Sequence, residues 1–88
     1  MKYFVYILRN NKGKLYIGQT TDMLARLRRH NKHQGAKYTA QNKNFILVYH
    51  ETYSDLKTAM RREKQLKGWT RAKKEALIAQ DFELLKKL

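Results

Sequence analysis

The sequence predicts an α+β fold in which helices flank a small three-stranded antiparallel sheet, in the order β-β-α-β-α-α. Three observations carry that reading. A run rich in β-branched and aromatic residues, Tyr3-Phe4-Val5-Tyr6-Ile7-Leu8, is followed by turn chemistry at Asn10-Asn11-Lys12-Gly13 and by a second strand over residues 14–19. A third strand, over residues 45–53, follows a helical pattern and a polar stretch. Two more helical patterns close the chain. Strands of this kind bury their apolar side by taking helices onto the sheet.

The first run shows no polar alternation, as expected of a central strand covered on both faces. Gly13 suits the left-handed last position of a three-residue hairpin loop over residues 11–13. That register pairs Asn10 with Lys14, and therefore Tyr6 with Gly18 and Leu8 with Tyr16. It sets Tyr6 and Tyr16 on one face and leaves space beside Tyr6 at Gly18; a slip of one residue would part the tyrosines. Asp22 is a candidate N-cap for a helix reaching about His33, with Leu24, Leu27 and Asn31 on one side. Another side carries Arg26, Arg29, His30 and His33. Residues 34–44 read as a polar loop. Ser54 can cap a second helix over residues 55–67, which Gly68 ends, and Thr70 a third over residues 71–80, built on Ala72, Ala76 and Leu77. The tail, residues 81–88, is expected to be helical too. No repeat, linker or low-complexity stretch appears, so the chain is expected to be a single domain over residues 1–88.

Composition narrows the function. Twenty Lys and Arg face seven carboxylates, for a net charge of +13, and Asp22 is the only acidic residue before His50. Such an excess points to a polyanionic partner, since basic surfaces bind phosphates by releasing counterions. Nucleic acid is the expected partner, ahead of an anionic membrane. The absence of cysteine excludes disulfides and thiolate-held metals. The N-terminal apolar run is six residues long and ends at Arg9, whereas a membrane span takes roughly 18. No signal-peptide pattern is present, so a soluble cytoplasmic protein is expected. No glycine-rich phosphate loop and no nucleophile-elbow serine occur.

Glu63 stands out. On the second helix Leu56, Ala59, Met60 and Leu66 recur at helical spacing, and position 63 belongs on that stripe. A carboxylate at the edge of an apolar face needs a partner. Either it pairs with an arginine such as Arg26 or Arg62, or it ligates a hard divalent ion such as Mg²⁺ or Mn²⁺. Tyr6 and Tyr16 are either core or site residues, strands favouring tyrosine in any case. Arg26 and His30, at i and i+4, form a basic edge suited to steering phosphate. His33 and His50 have no third ligand residue near them in sequence, as a zinc site would need.

Taken jointly, these residues form a pattern. Val5-Tyr6-Ile7 followed by Tyr16-Ile17-Gly18, then Arg26 on a helix and Arg62-Glu63 on the next, resembles the GIY-YIG nucleases over residues 2–78. Gly35-Ala36-Lys37-Tyr38-Thr39 and Arg61-Arg62-Glu63 resemble the small stand-alone bacterial members more closely. Phe4 stands where the first glycine of the signature would be. The resemblance implies a DNA endonuclease with one divalent metal, Mg²⁺ or Mn²⁺, serving repair or recombination. It implies Tyr16 as general base or water-orienting group, Tyr6 supporting it, Arg26 on the scissile phosphate, Glu63 on the metal, and His30 assisting the nucleophile. Arg29, Lys37, Arg62, Lys64 and Lys67 are expected to contact nucleic acid, DNA ahead of RNA. A dimer or a protein partner would supply targeting. The alternative is a nucleic-acid-binding module that keeps the scaffold without turnover.

Overall fold

The computed structural model describes residues 1–28 and 45–88. The predicted end of the first helix near His33, the polar loop at 34–44, and Arg29, His30 and Lys37 lie outside the described residues. Three strands, β1 (Tyr3–Arg9), β2 (Leu15–Thr20) and β3 (Ile46–Tyr53), form one antiparallel sheet in the order β2-β1-β3. The helices are α1, helical over 23–28 of the described chain, α2 (Leu56–Lys67), α3 (Arg71–Ile78) and α4 (Phe82–Lys87).

The β1–β2 turn fixes the register. Gly13 takes φ +83°, a left-handed conformation that costs little only for glycine. Its N–H donates to the Asn10 carbonyl and the Asn10 N–H to the Lys14 carbonyl, both at 3.0 Å. The buried Asn10 side chain accepts from the N–H groups of Lys12 and Lys14, at 2.9 Å each. Tyr6 therefore faces Gly18 and Leu8 faces Tyr16, as the sequence predicts. On its other edge β1 pairs with β3, with a register shift after Ile7, so that Tyr6 also faces His50.

Alternation along β1 divides the core in two. Val5 and Ile7 pack with Ala59 and Leu66 of α2 and Leu77 of α3. Tyr6 and Leu8 pack with Phe45, Tyr16 and the α1 residues Met23 and Leu27. The central strand is thus covered on both faces. Fully burying an aliphatic side chain stabilises by about 1.5–3 kcal/mol, so β1, buried from Val5 to Leu8, anchors both layers.

Several local expectations are corrected. On α1 it is Met23 that packs beside Leu27, while Leu24 is 69% exposed. The Asp22 cap is confirmed: its carboxylate accepts from the Ala25 N–H at 3.1 Å. The second helix is capped by Asp55 and not by Ser54. The Asp55 carboxylate takes the Thr58 N–H at 2.8 Å and the Thr58 hydroxyl, a reach that Ser54 lacks from one residue earlier. Thr70 caps α3 as expected, but the helix stops at Ile78. There Gln80 turns left-handed at φ +56°, and the N–H groups of Gln80 and Asp81 close onto the carbonyls of Leu77 and Ala76. That pair of bonds is a Schellman ending. It frees Asp81 to cap α4. The predicted stripe on α2 is also narrower, with Ala59 and Leu66 buried but Leu56 and Met60 exposed.

Candidate active site

Tyr6 is the centre of the candidate site. Its ring is 3% exposed and crosses the sheet over Gly18. A Cβ built on Gly18 would stand 2.5 Å from the Tyr6 hydroxyl oxygen and 2.7 Å from Cζ. No ordinary side chain fits there, so glycine at 18 sets where the phenol lies. Burial raises the Tyr6 phenol above its ordinary range, and Glu63 adds to that shift. Arg26 and Lys67 act in the opposite sense. The hydroxyl therefore stays protonated at neutral pH, and it lies within electrostatic reach of α1 through Arg26 and of α2 through Glu63 and Lys67. Residues far apart in sequence thus act electrostatically on one phenol.

Tyr16 lies on the same face, one pair along, where a diagonal neighbour is within reach of an aromatic ring. It is half-buried and meets Phe45 edge to face, the centroids 4.8 Å apart. The Lys14 ammonium sits 5.1 Å from the Tyr16 ring centre. Tyr6 and Tyr16 therefore share one face of the hairpin, and the Tyr6 phenol feels Arg26 of α1 and Glu63 of α2.

The partner of Glu63 is neither Arg26 nor Arg62. It is Lys67, at 2.8 Å and one helical turn on, and the Glu63 side chain keeps 20% exposure. Among the described residues no three His, Cys, Asp or Glu gather as a metal cluster. A single accessible carboxylate still fits a hard divalent ion, because Mg²⁺ keeps most of its waters and takes only one or two carboxylates. Lys64 and Lys67 point outward. Arg62 does not.

Arg62 belongs to a network that the sequence reading missed. Its guanidinium grips Glu51 on β3 with two bonds, 2.9 and 2.8 Å, and donates to Gln65 at 2.9 Å. It also lies 5.2 Å from the Trp69 ring centre. The hydroxyls of Tyr49 and Tyr53 donate to the same carboxylate. Burial alone would raise the Glu51 carboxyl, yet the bonds from Arg62, Tyr49 and Tyr53 hold it below the usual range. Burial and the Glu51 bond push Tyr53 up to about 12, and Tyr49 rises for the same reasons. The signal in the sequence was the alternation Tyr49, Glu51, Tyr53, which puts all three on one face of β3. An open pocket of about 400 Å³ lies on this flank of α2, lined by Tyr53, Thr58, Arg61, Arg62 and Gln65. It is not at the tyrosine pair.

A three-stranded antiparallel sheet with helices on both faces and paired tyrosines on its hairpin defines a small α+β domain. The chain belongs to the GIY-YIG family: residues 2–76 match the model of the GIY-YIG catalytic domain. It is 44% identical over 77 residues to a UPF0213 protein of Staphylococcus epidermidis, spanning 88% of this chain and 94% of that protein. A UPF0213 protein of Staphylococcus aureus is 45% identical over 76 residues, spanning 86% and 93%. Two solution structures share the fold. The UPF0213 protein BH0048 from Bacillus halodurans superposes with a TM-score of 0.59 at 39% identity, covering 90% of this chain and 84% of that one. The protein EF2693 from E. faecalis gives 0.66 at 32% identity, covering 96% and 88%. No helix among the described residues is long and apolar enough to cross a membrane.

Proposed function

We propose that this chain is a metal-dependent endonuclease that hydrolyses DNA phosphodiester bonds, in repair or recombination. The observation that carries the reading is the hairpin register that sets Tyr6 and Tyr16 on one face of a GIY-YIG domain, with Arg26 and Glu63 from two different helices within electrostatic reach of the Tyr6 phenol. A protein that only bound a polyanion would gain nothing from a carboxylate at that point, where like-charge repulsion would oppose the phosphate. Glu63 would hold one divalent ion, Mg²⁺ or Mn²⁺. When bound, that ion would polarise the phosphate and offset the charge that develops during attack.

The chain's own residues supply the rest. Tyr16, on the open side of the pair, orients the attacking water or takes its proton. Tyr6, kept protonated by burial, acts as a fixed donor that holds the arrangement. Arg26 presents a guanidinium to the scissile phosphate, where a planar fork matches two oxygens at once. His30 would assist the nucleophile, and Arg29, Lys37, Lys64 and Lys67 would steer the backbone toward the site. Duplex, nicked and branched DNA, and RNA, should be incubated with Mg²⁺, Mn²⁺ or EDTA. Cleavage of DNA that EDTA abolishes supports the reading. Uncut substrates that the protein nonetheless binds would instead favour the binding module without turnover.

A further inference from the structure

We infer that the outward face of α2 is a second nucleic-acid contact surface, a basic ridge of Lys57, Arg61 and Lys64 that receives the phosphate backbone beside the candidate site. The inference rests on the nuclease reading for the identity of the polyanion, and on the helix for its location. At 100° per residue, Lys57, Arg61 and Lys64 share the face directly opposite the buried Ala59 and Leu66. All three are exposed. Arg62, one residue from Arg61, turns instead to Glu51, so the ridge is built on Arg61 and not on its neighbour.

No ion pair among the described residues engages these three side chains. Three of the carboxylates are taken by other cations: Glu63 by Lys67, Glu51 by Arg62, and Glu75 by both Arg9 and Arg71. Asp55 turns to the helix end, although it feels Arg61 at longer range. Like charges at i,i+4 destabilise a helix by a few tenths of a kcal/mol per pair. Asp55 offsets part of that cost at Arg61, and a polyanion lying against α2 would relieve the rest.

The dimensions fit a backbone. From Lys57 to Lys64 the helix rises about 10 Å, at about 1.5 Å per residue. A duplex carries one phosphate of each strand per about 3.4 Å of its axis, and successive phosphates lie farther apart than that along the strand, so the ridge can meet two phosphates and at most three. Lys64 adjoins Glu63 in sequence, one 100° step around the helix. A backbone whose scissile phosphate lies at Glu63 would pass Lys64 first, then Arg61, then Lys57.

The test replaces Lys57, Arg61 and Lys64 together with glutamine, and compares a control with Lys12, Lys86 and Lys87 replaced. The two variants carry equal net charge. Binding to a labelled DNA duplex is measured from 50 to 300 mM salt, and vesicles containing phosphatidylglycerol are tested in parallel. The ridge variant should bind duplex on the order of tenfold or more weakly and lose up to about 2.7 from its log–log salt slope, at about 0.9 per contact. The control should change little, and the ridge variant should melt no earlier than wild type. Equal losses in the two variants, an unchanged salt slope, or a loss confined to the vesicles would each overturn the inference. Binding needs no cleavage, so a chain that cuts nothing but loses duplex at the ridge contradicts the nuclease reading alone. Arg61→Gln by itself should remove about one third of the slope change, which keeps the test open if the triple variant misfolds.

Discussion

The Tyr6 ring occupies the place that a side chain at Gly18 would need: an added Cβ would stand 2.5 Å from its hydroxyl oxygen. Gly18→Ala must therefore move a buried ring. Overpacking of this kind costs roughly 1–3 kcal/mol, and the phenol should leave the reach of Arg26 and Glu63. We expect a lower melting temperature and a fall in cleavage at least as large as that of Tyr6→Phe. The check is a double-mutant cycle. In a Tyr6→Ala background, Gly18→Ala should cost no further stability. An undiminished cost there would mean that Gly18 serves the backbone instead.

Arg26→Ala should slow cleavage far more than it weakens binding. Only one of twenty basic residues is lost to the surface, whereas removing a donor to a developing charge typically costs roughly 10²–10³ in rate. Arg26→Lys should recover little, since a point charge lacks the guanidinium fork. A rate that falls only in step with affinity would make Arg26 a binding residue. Single-turnover kinetics at saturating DNA separate the two outcomes.

The Glu51 network should shape stability at both ends of the pH scale. The folded Glu51 carboxyl sits below its ordinary value of 4.5. Its contribution is present above that value and is lost as pH falls through the depressed folded one. Tyr53 has the opposite sign: raised from 10.0 to about 12, it contributes below pH 10 and loses that contribution as pH rises toward 12. Glu51→Gln should flatten the acid limb of a plot of Tm against pH. It should also lower stability at pH 7 by roughly 2–3 kcal/mol, near the low end of what breaking a buried pair costs, since both side chains keep some solvent. Tyr53→Phe should flatten the alkaline limb. Melts from pH 3 to 12 on the three proteins read both limbs.

How legible each feature was depended on how local its cause is. The hairpin register could be read because Gly13 fixes the turn and the strand period of two carries that choice to Tyr6, Gly18 and Tyr16. The caps at Asp22 and Thr70 were equally local. Asp55 lost out to Ser54 in the reading because both are capping residues and only the helix geometry says which one reaches Thr58. Spacing groups Leu24 with Leu27 on one side of the helix, whereas Met23 is the residue that packs beside Leu27; on a short helix a shift of one residue turns the face by 100°. The fate of Arg62 depends on how α2 is rotated against β3, a relation between residues eleven apart that no local rule supplies. The same rotation sets Glu63, one step around the helix, within electrostatic reach of Tyr6.

Glu63→Gln is the most direct measurement. Its partner is the half-exposed Lys67 in an i,i+4 pair, worth a few tenths of a kcal/mol, so the variant should fold and melt close to wild type. DNA affinity should stay level or rise slightly, because a negative charge leaves a phosphate-binding face. Mn²⁺-dependent cleavage should vanish, since glutamine keeps the shape and one oxygen but not the charge that holds a divalent ion against water. With melting, binding and a Mn²⁺ titration of cleavage followed on one preparation, the account predicts a folded, DNA-bound and inactive protein. A folded Glu63→Gln protein that cuts at the wild-type rate at the same Mn²⁺ concentration would contradict it.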